Sequence, residues 1–182
     1  MFGDIVRVMF ELGLEEGKYV SAHVRSRYPV GKLMRPKYVR IDKEGGFDFF
    51  SMKNYFMAFG KNAVQCVIDQ FNSKYNNSNS VLPPMFFLSD SHEFTSSMVT
   101  TKQGGTDANI DNGWRSHLDV RGIQRNEEPL HIDRDYGWPG SQPSDFFSGF
   151  EDVLIIGSSC VSHGVGGFGA FGAALSGAYR NT

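Results

Sequence analysis

Cysteine is scarce in this chain of 182 residues, which contains only Cys66 and Cys160, far apart in the sequence. Neither belongs to a CxxC pair, which excludes both the zinc sites built from paired cysteines and the small scaffolds held by many disulfides. One bridge between the two remains open, and two unpaired buried thiols are the simpler interpretation. Cysteine usage therefore leaves the compartment of the protein open.

Long apolar runs and an excess of basic charge are also lacking. No stretch of 18 or more apolar residues occurs, so the sequence predicts no membrane-spanning helix, and the first residues lack the cleavage site of a signal peptide. The net charge is -2 at pH 7 and the pI is near 6.2. A generally basic surface is excluded, and we expect no nucleic-acid partner.

Apolar residues are nevertheless frequent enough for a core, since 40% of the chain is hydrophobic, and the length suits one domain. The period of apolar positions predicts helices over 4–14, 54–71 and 145–157. Two further helices are predicted over 92–101, after Ser91, and over 170–178, where small residues follow the glycine run. Ser91 and Ser144 are the predicted caps of two of them. Short apolar runs predict strands at 19–25, 85–88, 129–132 and 160–162. Strands that alternate with helices predict an α/β, Rossmann-like fold, with a parallel sheet covered by helices on both faces.

Polar residues lie at the ends of three of the predicted strands. They are His23 and Arg25 at the end of the first strand, Asp90 between two serines after the second, and Ser162 at the end of the last, before a run of glycines. Ligands of open parallel sheets bind beyond the carboxyl ends of the strands. The sequence therefore predicts a binding site at this edge of the sheet.

Arg25 is the strongest candidate for a contact with an anion. Its guanidinium group can donate two hydrogen bonds to one phosphate and keeps its charge at any physiological pH. A surface salt bridge is the commoner role of an arginine and remains an alternative. His23 shares a strand face with Arg25, and its alternative role is that of a hydrogen-bonded, partly buried imidazole.

The glycine-rich segment 163–169 is predicted to form a turn between a strand and a helix. It matches the G-x-G-x-x-G pattern of dinucleotide-binding proteins, which also requires a further βαβ unit and an acidic residue about 20 positions later. Neither follows here, so we expect no NAD and no other cofactor. Two interpretations remain equal: backbone N–H groups that bind an anion at a helix N-terminus, or close packing at a tight turn.

Two carboxylates are further candidates. Asp90 is predicted at a strand tip, where a role in a turn or helix cap is the alternative. Asp152 is predicted on the polar side of the helix over 145–157, where it is either simply solvated or accepts paired hydrogen bonds from a guanine edge. Cys160 and His163 suggest a thiol nucleophile with its base, a weak hypothesis because no third orienting group is indicated.

Three segments, taken in order, resemble the fucosyltransferase superfamily that contains the protein O-fucosyltransferases and the α1,6-fucosyltransferases. Residues 19–25 are similar to its first motif, His-x-Arg at a strand end. Residues 86–91 resemble its second, a strand that ends in Ala-Ser/Thr-Asp-Ser. Asp152 together with 160–171 is similar to its third. The resemblance implies that residues 1–182 form one nucleotide-sugar-binding domain, the C-terminal half of a transferase with two Rossmann-like domains, and that the N-terminal acceptor domain is absent.

The same resemblance implies the roles of individual residues. Arg25 binds the β-phosphate of the donor and is the catalytic residue, His23 supports it, and Asp152 recognises guanine. The remaining contacts to the GDP-sugar come from Asp90, Ser162, Gly166, Gly167, Phe168 and Gly169. The sequence departs from the family at Ser26, where many members have a second arginine. It also departs at Gly167, where a hydroxyl residue is common and only a backbone N–H is left.

The implied activity is the transfer of a sugar, fucose above all, from a GDP-sugar to a hydroxyl group of a glycan or protein, with inversion and without a metal. The first alternative is an inactive module that binds a nucleotide-sugar or glycan, and the second is a cysteine hydrolase that uses Cys160. The resemblance also implies the lumen of the Golgi or endoplasmic reticulum. Membrane attachment is then expected only through a segment that is absent from this chain.

Overall fold

The computed structural model describes residues 2–25, 53–75, 81–99, 118–123, 147–165 and 167–175. They form α1 (Phe2–Glu11), β1 (Val20–Val24), α2 (Lys53–Tyr75), β2 (Met85–Ser89), α3 (His92–Met98), β3 (Val120–Arg121), α4 (Phe147–Gly157), β4 (Val161–Val165) and α5 (Gly167–Leu175). Helices and strands alternate along the chain, as the sequence pattern predicts.

The four strands form one parallel sheet in the order β3-β2-β1-β4. Strand β1 lies in the centre, with Val20 level with Met85 of β2 and Val161 of β4. The chain adds β2 and β3 on one side of β1 and then crosses back to place β4 on the other side. The predicted α/β fold with a parallel sheet is confirmed.

Helices cover both faces of the sheet, because alternate side chains of the buried strands point to opposite sides. On one face, apolar strand residues pack against α2 and α3; the strand members of this cluster are Val20, Ala22, Val24, Met85, Phe87, Val120 and Val161. On the other face, a second cluster joins the sheet to α1 and α4; it contains Ile5, Leu14, Tyr19, Phe86, Leu88, Ile155 and Ile156. Helix α5 also lies on this second face, where it packs on α4.

The connection before β1 is fixed by Arg121 of β3. Its Nη1 donates hydrogen bonds to the backbone oxygens of Leu12 and Gly13, both at 2.6 Å, while Nε donates to Asp119 Oδ1 at 3.0 Å. Gly13 has a φ of 63°, a left-handed conformation that glycine adopts without the steric cost of a side chain. Arg121 thus holds the end of α1 against the edge of the sheet.

The centre of the second face is held by polar contacts of β1. The buried hydroxyl group of Tyr19 donates to the backbone oxygen of Ile155 in α4, and burial raises the pKa of Tyr19, which keeps that proton in place. One pleat further, Ser21 Oγ lies 2.9 Å from Ser159 Oγ. These contacts attach α4 and the turn after it to the amino-terminal part of β1, which Tyr19 directly precedes.

The structure corrects the predicted element boundaries at several points. The predicted helix 92–101 ends at Met98, because Val99 takes an extended conformation. Strand β3 was not predicted, since two residues in a polar region are too short to show a period. The predicted strand 129–132 and the Ser144 cap lie outside the described residues, whereas the Ser91 cap is confirmed by a hydrogen bond from Phe94 N to Ser91 Oγ.

Candidate functional site

The carboxyl ends of three strands meet at one edge of the sheet. Val24 of β1 is level with Ser89 of β2 and with Val165 of β4. Neighbouring strands are about 4.8 Å apart, so Arg25 and Asp90, the next residues of β1 and β2, leave the sheet side by side. The polar strand ends that the sequence predicts to converge are therefore brought together.

The gap between β1 and β4 is the topological switch point of this sheet. The connections through α2 and α3 move away from β1 on one side, whereas the connection through α4 returns the chain to the other side. Crevices at such reversals are where open α/β sheets bind their ligands. Arg25 flanks this position on β1, and the first turn of α5 flanks it on β4.

The glycine-rich segment does not form the long turn that was predicted for 163–169. Strand β4 continues through Val165 and α5 begins at Gly167, so the connection is one residue, Gly166, which lies outside the described residues. Because the connection is this short, the N-terminus of α5 lies directly at the carboxyl edge of the sheet. Gly167, Phe168 and Gly169 form its first turn, whose N–H groups have no partners within the helix.

Two of the glycines are required by packing. A Cβ atom on Gly164 would lie 2.5 Å from Gly169 Cα, and one on Gly169 would lie 2.6 Å from Gly164 Cα. Both distances are shorter than real Cβ atoms show and involve backbone atoms, which cannot rotate away. Close packing, one of the two interpretations of the glycine run, is therefore shown for Gly164 and Gly169.

His23 lies beneath the first turn of α5. Its side chain is 7% exposed, and a Cβ atom on Gly169 would come within 2.9 Å of its Nδ1 atom. Alternation along β1 points His23 and Ser21 to the α4 and α5 side of the sheet. Arg25, two residues beyond His23, is half-buried at the edge itself.

Asp90 lies in a short turn that connects β2 to α3. Ser89 Oγ donates to Asp90 Oδ1 at 3.3 Å and accepts a hydrogen bond from Ser91 N at 3.3 Å. Ser91 Oγ caps α3 by accepting from Phe94 N. The cap is thus Ser91, and the buried carboxylate of Asp90, 7% exposed, lies next to it at the edge of the sheet.

Asp152 lies on the packed side of α4 and not on a solvated side, which corrects the prediction. It is 4% exposed, and Ile155 and Ile156, three and four residues later, are 0% and 1% exposed. Residues at this spacing share one helix face. A buried carboxylate is costly unless it is hydrogen-bonded or paired, so simple solvation no longer explains this residue.

Ser162 is also buried, at 8% exposure. It lies on β4 next to Ser21 of β1 and two residues before Gly164, on the face that α5 covers. Its position is therefore about 7 Å from Gly164 along the strand, on the side away from the carboxyl edge. The structure brings Arg25, Asp90 and the first turn of α5 together at the edge and leaves Ser162 beneath the helix.

The two cysteines are free thiols, so the possible bridge between them is not formed. Cys66 is exposed on α2, which corrects the expectation that both are buried. Burial raises the pKa of the Cys160 thiol, although Tyr75 and Lys74 oppose that shift. Cys160 also lies three residues before His163, about 10 Å away along the strand direction, so the pair cannot act as nucleophile and base.

Among the described residues, no group of histidine, cysteine and carboxylate side chains is arranged to hold a metal ion. In the same part of the chain, no helix has the length and apolar character needed to cross a membrane. Comparisons with known proteins found no family model, no curated protein and no solved structure that matches this chain.

We predict that Gly169→Ala destabilises the fold. Helix propensity alone would make this change stabilising by about 0.5–1 kcal/mol, but the new methyl group would press on Gly164 and His23. We expect a net loss of about 1–3 kcal/mol, measured by urea unfolding. A stabilised variant would show that α5 does not pack against β4 as described.

We also predict that iodoacetamide at pH 8 modifies Cys66 before Cys160. Cys66 is exposed, whereas the raised pKa of Cys160 leaves little thiolate at this pH, and only the thiolate reacts. Because burial raises the pKa of Cys160 above its ordinary value, we expect its alkylation rate to keep increasing as the pH passes about 9. Peptide mass spectrometry separates the two sites, and faster labelling of Cys160 would contradict the burial and the raised pKa of its thiol.

Proposed function

We propose that this chain is the donor-binding domain of a glycosyltransferase of the fucosyltransferase type, which holds a GDP-sugar, GDP-fucose above all, by its diphosphate. The observation that carries the proposal is that Arg25 follows β1 and the N-terminus of α5 follows the neighbouring strand β4, so the two flank the switch point of a parallel sheet. A ligand there faces one permanent positive charge and the backbone N–H groups of the first helical turn, which have no partners inside the helix, a combination suited to a diphosphate.

The electrostatics of this edge favour a negatively charged ligand. The N-terminus of a helix carries roughly half a positive charge, and the first turn of α5 has no acidic side chain to neutralise it. Arg25 adds a full charge from the neighbouring strand. We assign the β-phosphate to Arg25 and the phosphate oxygens to the N–H groups of Gly166 to Gly169, with Phe168 in the same turn.

Arg25 would also act in the chemical step. When the sugar leaves, negative charge grows on the β-phosphate, and a guanidinium already in place stabilises that charge more in the transition state than in the ground state. One preorganised donor of this kind lowers a barrier by roughly 3 kcal/mol. The assignment needs no metal, because Arg25 and the helix N-terminus together supply the positive charge.

Carboxylates are suited to recognise the base. Guanine presents N1–H and N2–H donors side by side, and a carboxylate accepts both, whereas adenine offers no such pair. We assign this contact to Asp152, a buried acid on α4, the helix that runs from the carboxyl edge of the sheet toward its amino edge. Asp90, at the edge itself, is assigned to the sugar or ribose hydroxyl groups of the donor.

A binding module without turnover uses the same site and is the second candidate. It is supported by the departures at Ser26, where many members of the resembling family have a second arginine, and at Gly167, where a hydroxyl residue that contacts phosphate is common. Release of GDP from GDP-fucose separates the candidates, because a module binds the donor and leaves it intact. The transferase proposal also places the protein in the Golgi or endoplasmic reticulum lumen, with a glycan or protein as acceptor.

We predict that the chain binds GDP more tightly than ADP or UDP. Loss of paired hydrogen bonds to a charged group costs about 1.5–3 kcal/mol, which corresponds to roughly ten- to a hundredfold in affinity. Isothermal titration of the three nucleotides measures this preference. Asp152→Asn should abolish it, whereas Glu151→Gln, at the neighbouring position on α4, should retain it.

Equal affinities for all three nucleotides would remove the guanine assignment. A preference that survives in Asp152→Asn would move it to another residue.

The second prediction is that Arg25→Lys weakens GDP binding about ten- to a hundredfold while GMP binding changes little. A lysine keeps the charge but cannot donate two parallel hydrogen bonds to one phosphate. GMP lacks the β-phosphate, so it serves as the internal control in the same titration. A variant that loses affinity for GMP and GDP equally would indicate that Arg25 supports the fold and not the β-phosphate.

A further inference from the structure

Three serines are buried together between the sheet and the helices of the second face. Ser21, Ser159 and Ser162 are 1%, 4% and 8% exposed. Ser21 and Ser162 are direct neighbours on β1 and β4, and their side chains point to the same face because register partners of parallel strands do so. Their hydroxyl groups therefore share one small region of the core.

The direction of the hydrogen bonds around Ser159 follows from proton counting. Ser159 Oγ lies 2.6 Å from the backbone oxygen of Ile156, which can only accept, so Ser159 donates its one proton there. In the 2.9 Å contact between Ser21 Oγ and Ser159 Oγ, Ser21 must then be the donor. Ser21 Oγ keeps an acceptor lone pair for a further partner.

Ser162 carries a hydroxyl group that can act as a hydrogen-bond donor, which complements the acceptor lone pair of Ser21 Oγ. Among the described residues, its buried Oγ has no hydrogen-bond partner, and a buried hydroxyl group without a partner destabilises a fold. The residues of α5 that are buried over β4 are small, Gly169 and Ala173 among them. The described buried residues of α5 therefore place no long side chain over Ser162.

We propose that one ordered water molecule binds between Ser162 and Ser21. It accepts a hydrogen bond from Ser162 and donates one to Ser21, so that the chain of bonds runs from Ser162 through the water, Ser21 and Ser159 to Ile156. Neighbouring strands are about 4.8 Å apart, a spacing that one water can bridge, and buried waters commonly satisfy such groups. Ser162 then serves the core under α5, independently of any nucleotide at the edge.

A double-mutant cycle with Ser21→Ala and Ser162→Ala tests the proposal through thermal unfolding. If the water bridges the two hydroxyl groups, Ser162→Ala lowers the Tm by about 2–4 °C. Its effect should also become smaller when Ser21 is already alanine. Ser158→Ala is the matched control, because Ser158 bonds Leu154 O and should show no coupling with Ser162.

A rise in Tm for Ser162→Ala would overturn the proposal, because it would mean that the hydroxyl group is buried without a partner. Additive effects of the two serine changes would also overturn it. A high-resolution crystal structure gives a second readout that does not depend on stability. A water within about 3 Å of both Oγ atoms would support the bridge, and a direct Ser21–Ser162 hydrogen bond or an apolar contact in its place would refute it.

Discussion

The candidate site depends on the contact between Gly164 of β4 and Gly169 of α5, where two backbones touch without an intervening side chain. This contact lets the helix begin with a single residue between it and the end of the strand. It also lays the first turn of α5 over His23 of the central strand. A larger residue at either position would displace the helix, and the N–H groups of its first turn would move away from the switch point.

The remaining architecture brings the charged groups to that contact. Because β1 lies in the centre of the sheet, its carboxyl end has β2 on one side and the switch point on the other. Tyr19 and Ser21 attach α4 and the following turn to the amino-terminal part of β1. The carboxyl-terminal part of the strand carries His23 and is followed by Arg25. The amino-terminal part of β1 therefore stabilises the fold, and the carboxyl-terminal part contributes to the site.

The fold class and the edge of the sheet that carries the polar residues could be predicted from the sequence, because apolar period and strand-end polarity are local signals. The burial of Asp152 could not be predicted. Most positions of α4 are apolar, so the sequence does not show whether this acid faces the core or the solvent. The same limit applied to 163–169, where glycines suggested a turn although Gly164 belongs to a strand. A glycine needed for close backbone packing and a glycine needed for a turn look the same in the sequence. Only the packing of the folded chain shows which of the two roles a glycine has.

The central claim is that a nucleotide diphosphate binds at the switch point, between the end of β1 and the start of α5. The most direct measurement is an NMR titration of the ¹⁵N-labelled chain with GDP-fucose, with free fucose as the control. We expect the largest amide shifts at Arg25 and at Gly167 to Gly169, and none at the amino ends of the strands around Val20 and Met85. Shifts centred on the amino edge, or no shift with the nucleotide-sugar at millimolar concentration, would contradict the account.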